Sequence, residues 1–210
     1  EHLHSAEHPR AAYSAQMMQH GLNLMNKDVS EEAVREFVRT LTAKYVEDDI
    51  VYSTSIEYLS KSVEKGDICV ISTGGYETGA HGFLDGLVDA GLLTLEIRGK
   101  IQVSGSKMDW PNKKAVHANV EENKITGLED TLDLKRKQIT DQLTSIHVDS
   151  PQGGDKGLVK LAVEAKHKAD VHILATNKNG AFHQCCQTWE KRLNEDIPCL
   201  AFKPIRSEPI

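Results

Sequence analysis

The sequence predicts an α/β fold: an open, mainly parallel, Rossmann-like sheet with helices on both faces, plus a small helical cap. Three observations carry that expectation. The run Ile68-Cys69-Val70-Ile71 is apolar without alternation and lies between Gly66-Asp67 and Ser72-Thr73-Gly74-Gly75, the pattern of a strand covered on both faces. From Lys135 onward, strand-like and helix-like segments alternate, which favours parallel pairing through crossovers. The 210 residues, 39% of them hydrophobic, suffice for one such domain with a small appendage.

The elements follow in order. His2, His4 and His8 crowd the N-terminus; with no fixed scaffold around them they read as a frayed, solvated end rather than a metal site. Asp28 with Glu31 has the form of a capping box, and behind it Val34, Phe37, Val38, Leu41 and Tyr45 recur at helical spacing, as in a core-facing or cap helix. Ile50 to Tyr52 lead into a short helix carrying Ile56, Leu59 and Val63. The Gly66 to Thr73 strand comes next, then a helix from about Gly79 to Ala90 with Ala80, Phe83, Leu84, Leu87 and Val88 turned inward. Leu93 to Ile97 and Ile101 to Val103 read as short strands, and Ala115 to Gly127 as a hairpin that turns at Glu121-Glu122-Asn123-Lys124. The remaining expectations are a helix over Lys135–Leu143, a strand over Ser145–Asp149, a helix over Gly157–Lys168 and a strand over Val171–Ala175. A helix with Phe182, Cys186, Trp189 and Leu193 on one face and a strand over Cys199–Phe202 close the series. There is no internal repeat and no low-complexity segment.

A net charge of -6 excludes long-range attraction to nucleic acid or anionic membrane, and Lys203 with Arg206 near the end do not make a basic patch. No apolar run approaches the roughly 20 residues of a membrane span, and no signal-peptide pattern is present. The chain begins at Glu1 rather than Met, so its start is expected to be processed or cut. The four cysteines, Cys69, Cys185, Cys186 and Cys199, have no zinc-like spacing and read as free thiols in a reducing, cytoplasmic compartment.

Ligands of open parallel sheets sit beyond the carboxyl ends of the central strands, and two strand ends here carry chemistry. At Ser72-Thr73-Gly74-Gly75, two hydroxyls and two glycines let the backbone approach an anion at the start of the next helix, most simply a phosphate. The other reading is an ordinary strand-to-helix turn. At His147-Val148-Asp149-Ser150-Pro151-Gln152-Gly153-Gly154-Asp155, one acid ends the strand and a second follows a glycine-rich turn. Two carboxylates beside a phosphate suit Mg²⁺, a hard ion that shares itself with substrate phosphates; alternatively Asp149 caps the loop and Asp155 the next helix. Lys135 and Lys137 precede this strand and either could neutralise phosphate and carboxylate charge, although lysines on an amphipathic helix face water by default.

Taken in order, the corner Val70-Ile71-Ser72-Thr73-Gly74-Gly75-Tyr76, the segment Glu122-Asn123-Lys124-Ile125-Thr126-Gly127, a lysine, and the loop Val148–Asp155 resemble the haloacid dehalogenase superfamily, most closely its phosphoserine phosphatase branch. The tail Ala175-Thr176-Asn177-Lys178-Asn179-Gly180, with Trp189 beyond it, is similar to the end of that branch, so the resemblance spans roughly Asp49 to Phe202. It implies a phosphatase acting on a small phosphorylated metabolite with Mg²⁺ through an aspartyl-phosphate. Thr73 would match the hydroxyl that binds the transferring phosphoryl group, with Gly74 donating its N–H and Ser72 as the alternative one residue earlier. Lys135, or failing it Lys137, would match the charge-neutralising lysine. Asp149 would match the acid that orients Mg²⁺, with Asp155 its partner. Residues 1–48 would form a helical cap-like segment and 49–210 the α/β core.

Two departures stand out. The Asp149–Asp155 loop is longer than the usual spacing, which makes Asp155 the less secure ligand. More seriously, nothing between Glu1 and Val51 reads as an apolar strand ending in the Asp-x-Asp pair that supplies the nucleophile and the acid/base. The nearest acids, Asp48 and Asp49, are adjacent and would point to opposite faces of a strand. That strand would lie between those of Thr73 and Asp149. Its absence leaves three routes: direct pairing in a rearranged sheet, a strand from a second chain or a homo-oligomer, or a longer protein. Two other functions stay open: an inactive relative that binds a phosphometabolite or a protein partner, and an unrelated doubly wound nucleotide binder. The second lacks the G-x-G-x-x-G fingerprint.

Overall fold

The computed structural model describes residues 16–21, 23, 29–48, 51, 53–149, 153–167, 169–175 and 202–206. The fold is mixed α/β, as expected, and among the described residues the strands form two three-stranded sheets. The chain divides into two compact units between Val120 and Glu121.

The first unit contains α1 (Glu31–Glu47), α2 (Ser53–Glu64), β1 (Cys69–Tyr76), α3 (Glu77–Asp89), α4 (Leu95–Lys100), β2 (Ile101–Asp109) and β3 (Lys114–His117). The sheet order is β1-β2-β3, with β1 parallel to β2 and β3 antiparallel to it. Val51, Val63, Leu84, Leu87, Leu93, Ile101 and Val103 make the core, with Cys69 and Ile71 of β1 packed against it. Cys69 is a free thiol, as expected, and its partial burial raises its pKa.

α1 begins at Ser30, whose Oγ accepts from the Ala33 N–H at 3.1 Å. The expected cap at Asp28 lies outside the described residues, and Glu31 serves elsewhere, accepting from Thr78 Oγ1 at 2.7 Å. The face of α1 that packs on α3 holds the buried Thr42, whereas Phe37 and Tyr45 of the expected stripe are exposed. The reason lies in α3. A Cβ on Gly82 would sit 2.4 Å from the Arg35 carbonyl, and one on Gly86 would sit 2.5 Å from Thr42 Cβ. Two glycines one turn apart thus draw the backbones together along the Arg35–Thr42 side of α1. Arg35 and Arg39 then reach across to Asp85 and Asp89 and rivet the flanks. Arg39 is held above its usual pKa by hydrogen bonding to Asp89.

Two expectations in this unit are corrected. Leu93–Ile97 is not a strand: Thr94 Oγ1 accepts from the Ile97 N–H at 3.2 Å and starts α4, an N-cap that outweighs the β-branched composition. The supposed hairpin over Ala115–Gly127 is strand β3 followed by a helix in the second unit. Glu121 takes a left-handed φ of 52°, turning the chain, and Lys124, Ile125, Gly127 and Leu128 are then buried with helical spacing.

The second unit contains α5 (Asn123–Leu132), α6 (Arg136–Gln142), β4 (Ser145–Val148), α7 (Lys156–Glu164), β5 (Asp170–Ala175) and β6 (Phe202–Arg206). Its sheet is wholly parallel in the order β4-β5-β6. β4 alternates, burying Ile146 and Val148, and Ile146 lies beside the buried Val171 of β5. α7 covers these strands with Leu158, Val159, Leu161 and Ala162. The last strand begins at Phe202, where the expected Cys199–Phe202 strand ends. His2, His4, His8, Asp49, the Ser150–Gln152 turn, the Asn177–Gly180 turn, the Phe182–Leu193 helix, and Cys185, Cys186 and Cys199 lie outside the described residues. No helix among the described residues is long and apolar enough to cross a membrane.

Candidate functional site

The sequence-predicted residues fall into two constellations, one in each unit. Ser72, Thr73 and Gly74 end β1 in the first; Asp149, Asp155 and Lys135 belong to the second.

At the end of β1 the ladder with β2 is regular from Cys69↔Ile101 to Ser72↔Ser104 and resumes at Tyr76↔Ser106. Thr73, Gly74 and Gly75 therefore face a single β2 residue, Gly105, and form a bulge. The bulge is held by side chains in place of a ladder. Asn119, fully buried, donates from Nδ2 to the Thr73 carbonyl at 3.0 Å, to the Ser104 carbonyl at 2.7 Å and to Ser72 Oγ at 3.3 Å. Ser106 Oγ donates to the Gly74 carbonyl at 2.8 Å and accepts from the Asn119 N–H at 2.9 Å. The Gly75 N–H donates to Thr73 Oγ1 at 3.0 Å. α3 starts directly after, at Glu77, whose carboxylate accepts from the Gly105 N–H at 3.3 Å.

In the second unit, Asp149 follows β4 and Asp155 precedes α7. Asp155 occupies the N-cap position of α7 yet makes no capping bond with its side chain. Its Oδ1 instead accepts from Lys124 Nζ at 2.5 Å and its Oδ2 from the Asp149 N–H at 3.3 Å. Lys124 and Asp155 are 4% and 7% exposed, so this is a buried ion pair rather than a surface one. What brings them together is the approach of α7 to the start of α5. The Glu121 N–H donates to the Gly154 carbonyl at 2.7 Å, and a Cβ on Gly157 would lie 2.1 Å from the Glu121 carbonyl oxygen. Only glycine allows that contact, which sets Lys124 over Asp155.

Asp149 is itself at an exposed position, but its carboxyl is partly desolvated and hydrogen-bonded to Asp155, whose charge opposes its ionisation. Lys124 counters only in part, and the Asp149 pKa is raised. Lys135 takes the N-cap position of α6 and Lys137 lies in its first turn; both are exposed. The lysine paired with the acids is Lys124, which a reading of residues 121–124 as a polar turn conceals. The available signal was its position beside Ile125 and Leu128, three apart in sequence and buried with it.

Among the described residues no group of three or more His, Cys, Asp or Glu side chains comes together. Two carboxylates do, and that number fits Mg²⁺, which takes one or two protein carboxylates and fills its shell with water and phosphate oxygens. Asp149 is the available ligand, since both oxygens of Asp155 are already engaged. Asp155 fits the supporting role.

Beside the acids, His147 of β4 and His172 of β5 lie in register and stack at 4.5 Å. Burial of the ring, and secondarily the charge of His172, push the His147 pKa down to about 4. The unfolded chain then takes up the extra proton first, so stability falls as pH drops from about 6.5 towards about 4. Because part of the residue remains in water, the loss is expected to be about 1 kcal/mol rather than the full linkage value. Thermal melts across this window should show His147→Phe flatter than wild type; parallel curves would refute the assignment.

Compared with known proteins, the chain matches no family model, no curated protein and no solved structure.

Proposed function

We propose that the protein is a haloacid-dehalogenase-like phosphohydrolase that acts with Mg²⁺ on a small phosphorylated metabolite in the cytoplasm. The observation that carries this reading is the Lys124–Asp155 buried pair standing behind Asp149 at the carboxyl end of a parallel strand. Asp149 holds Mg²⁺, which when bound offsets the charge of phosphate oxygens. Asp155 fixes the Asp149 backbone, and Lys124 holds the Asp155 carboxylate in place through the buried ion pair. Independently, the Ser72-Thr73-Gly74 corner offers hydroxyl and N–H donors of the kind that hold a phosphoryl group.

Hydrolysis through an aspartyl-phosphate also needs a carboxylate nucleophile. Asp48 is the exposed residue that ends α1 and does not lie on a strand. In this proposal the nucleophile comes from a further strand outside these residues, in a second chain or in a longer protein of which they are a part. β1 and β4 are each edge strands among the described residues, and an edge accepts such a strand.

The test is Mg²⁺-dependent release of phosphate from a generic aryl phosphate by the wild type, Asp149→Asn and Thr73→Ala. Turnover that falls at least a hundredfold in both variants supports the enzyme. Mg²⁺ and phosphate binding without turnover turns the reading into a phosphometabolite-binding module, and absence of both overturns it.

A further inference from the structure

Asn119 is the polar group on which the first constellation turns. It is fully buried, and it keeps all its donor capacity on β1 and β2 while its own Oδ1 has no hydrogen-bond partner. A residue that only filled space there would be apolar, because an unsatisfied buried amide oxygen is unfavourable. The bonds it makes are specific in direction. In a trans peptide the C=O and the following N–H point opposite ways. With the Thr73 carbonyl drawn to Asn119, the Gly74 N–H points away from Asn119. With the Gly74 carbonyl drawn to Ser106, the Gly75 N–H points away from Ser106, where Thr73 Oγ1 accepts it. The Gly74 N–H and the Thr73 hydroxyl are thereby turned from the buried side of the bulge, while the Gly75 N–H is taken up by Thr73 Oγ1.

We propose that Asn119, acting with Ser106, is the positioning residue that aims the Gly74 N–H and the Thr73 hydroxyl at a phosphate group. The inference rests on the phosphate-binding role proposed above for the corner. Its ligand is a tetrahedral oxyanion, inorganic phosphate serving as the probe. Ser72 is a secondary contact, held through its Oγ by the same amide.

The test follows the backbone amide signals of Gly74 and Gly75 by NMR while inorganic phosphate is added to the full chain. The wild type should show saturable shifts at both glycines. In Asn119→Ala the apparent affinity should fall about tenfold, and in Ser106→Ala several-fold, while Mg²⁺ binding at Asp149 changes less than twofold. A general loss of folding would weaken both bindings, so the split between them separates positioning from mere support. Should Asn119→Ala not fold, Ser106→Ala decides alone. Wild-type shifts that persist with unchanged affinity in the variants overturn the positioning role and leave the corner's phosphate role standing. A wild type whose glycines do not respond overturns both.

Discussion

Lys124→Met is expected to destabilise the second unit by about 3–5 kcal/mol, the range for removing one partner of a buried ion pair and leaving the other charged. The stem of methionine fills nearly the same volume, so the loss isolates the charge. Asp155 would then lose the Lys124 ammonium from its Oδ1 at 7% exposure, next to a second carboxyl whose pKa is already raised. At about 4–8 °C per kcal/mol for a unit of this size, the melting temperature of that unit should drop by roughly 20 °C. The double variant Lys124→Met with Asp155→Leu should recover most of it, because an apolar pair of similar volume is tolerated where a lone charge is not. A single variant that melts with the wild type would mean that the pair is not buried as described.

Gly86→Val should produce the second large loss, in the first unit. Its Cβ would fall 2.5 Å from Thr42 Cβ and 2.6 Å from the Arg39 carbonyl, so α1 has to move as a body. Overpacking of this kind costs about 1–3 kcal/mol, and β-branching in a helix adds to it. Even Gly86→Ala should be destabilising, although alanine is favoured over glycine by about 1 kcal/mol in an open helix. Gly99 of α4 is the control: nothing lies within 4 Å of a Cβ there, so Gly99→Ala should be neutral or stabilising. Equal melting temperatures for Gly86→Ala and Gly99→Ala would contradict the close helix crossing.

These two positions show what was legible in the sequence. β4, α7 and β5 were, because Ile146, Val148, Leu158, Leu161 and Val171 mark their periods locally. The pairing of Asp149 with Asp155 was suggested by one loop. The role of Lys124 was not legible, since it depends on a glycine more than thirty residues away that lets α7 touch the Glu121 carbonyl. Nor was α5, whose Thr126-Gly127 reads as a strand returning from a turn until burial on one face makes it a helix. The outward Phe37 and Tyr45 were misjudged for the same reason: Gly82 and Gly86 decide which side of α1 is covered, and they lie on another element. The grouping of the described strands into two sheets is a matter of pairing, which local pattern does not encode.

The raised pKa of Asp149 links the site to pH. In the metal-free protein its ionised form is the costly one, so stability falls as pH rises from the ordinary carboxylate value to the raised one, and Asp149→Asn should melt slightly higher than wild type at neutral pH. Mg²⁺ should reverse the order, since it binds only the ionised carboxylate, and its affinity should weaken on acidification sooner than an unperturbed aspartate would dictate.

The most direct measurement is therefore a calorimetric Mg²⁺ titration at neutral pH, with inorganic phosphate present, of the wild type and Asp149→Asn. The account predicts saturable binding to the wild type and an affinity at least tenfold weaker in the variant, with the fold intact by circular dichroism. Equal binding by the two proteins, or none by the wild type, would contradict it.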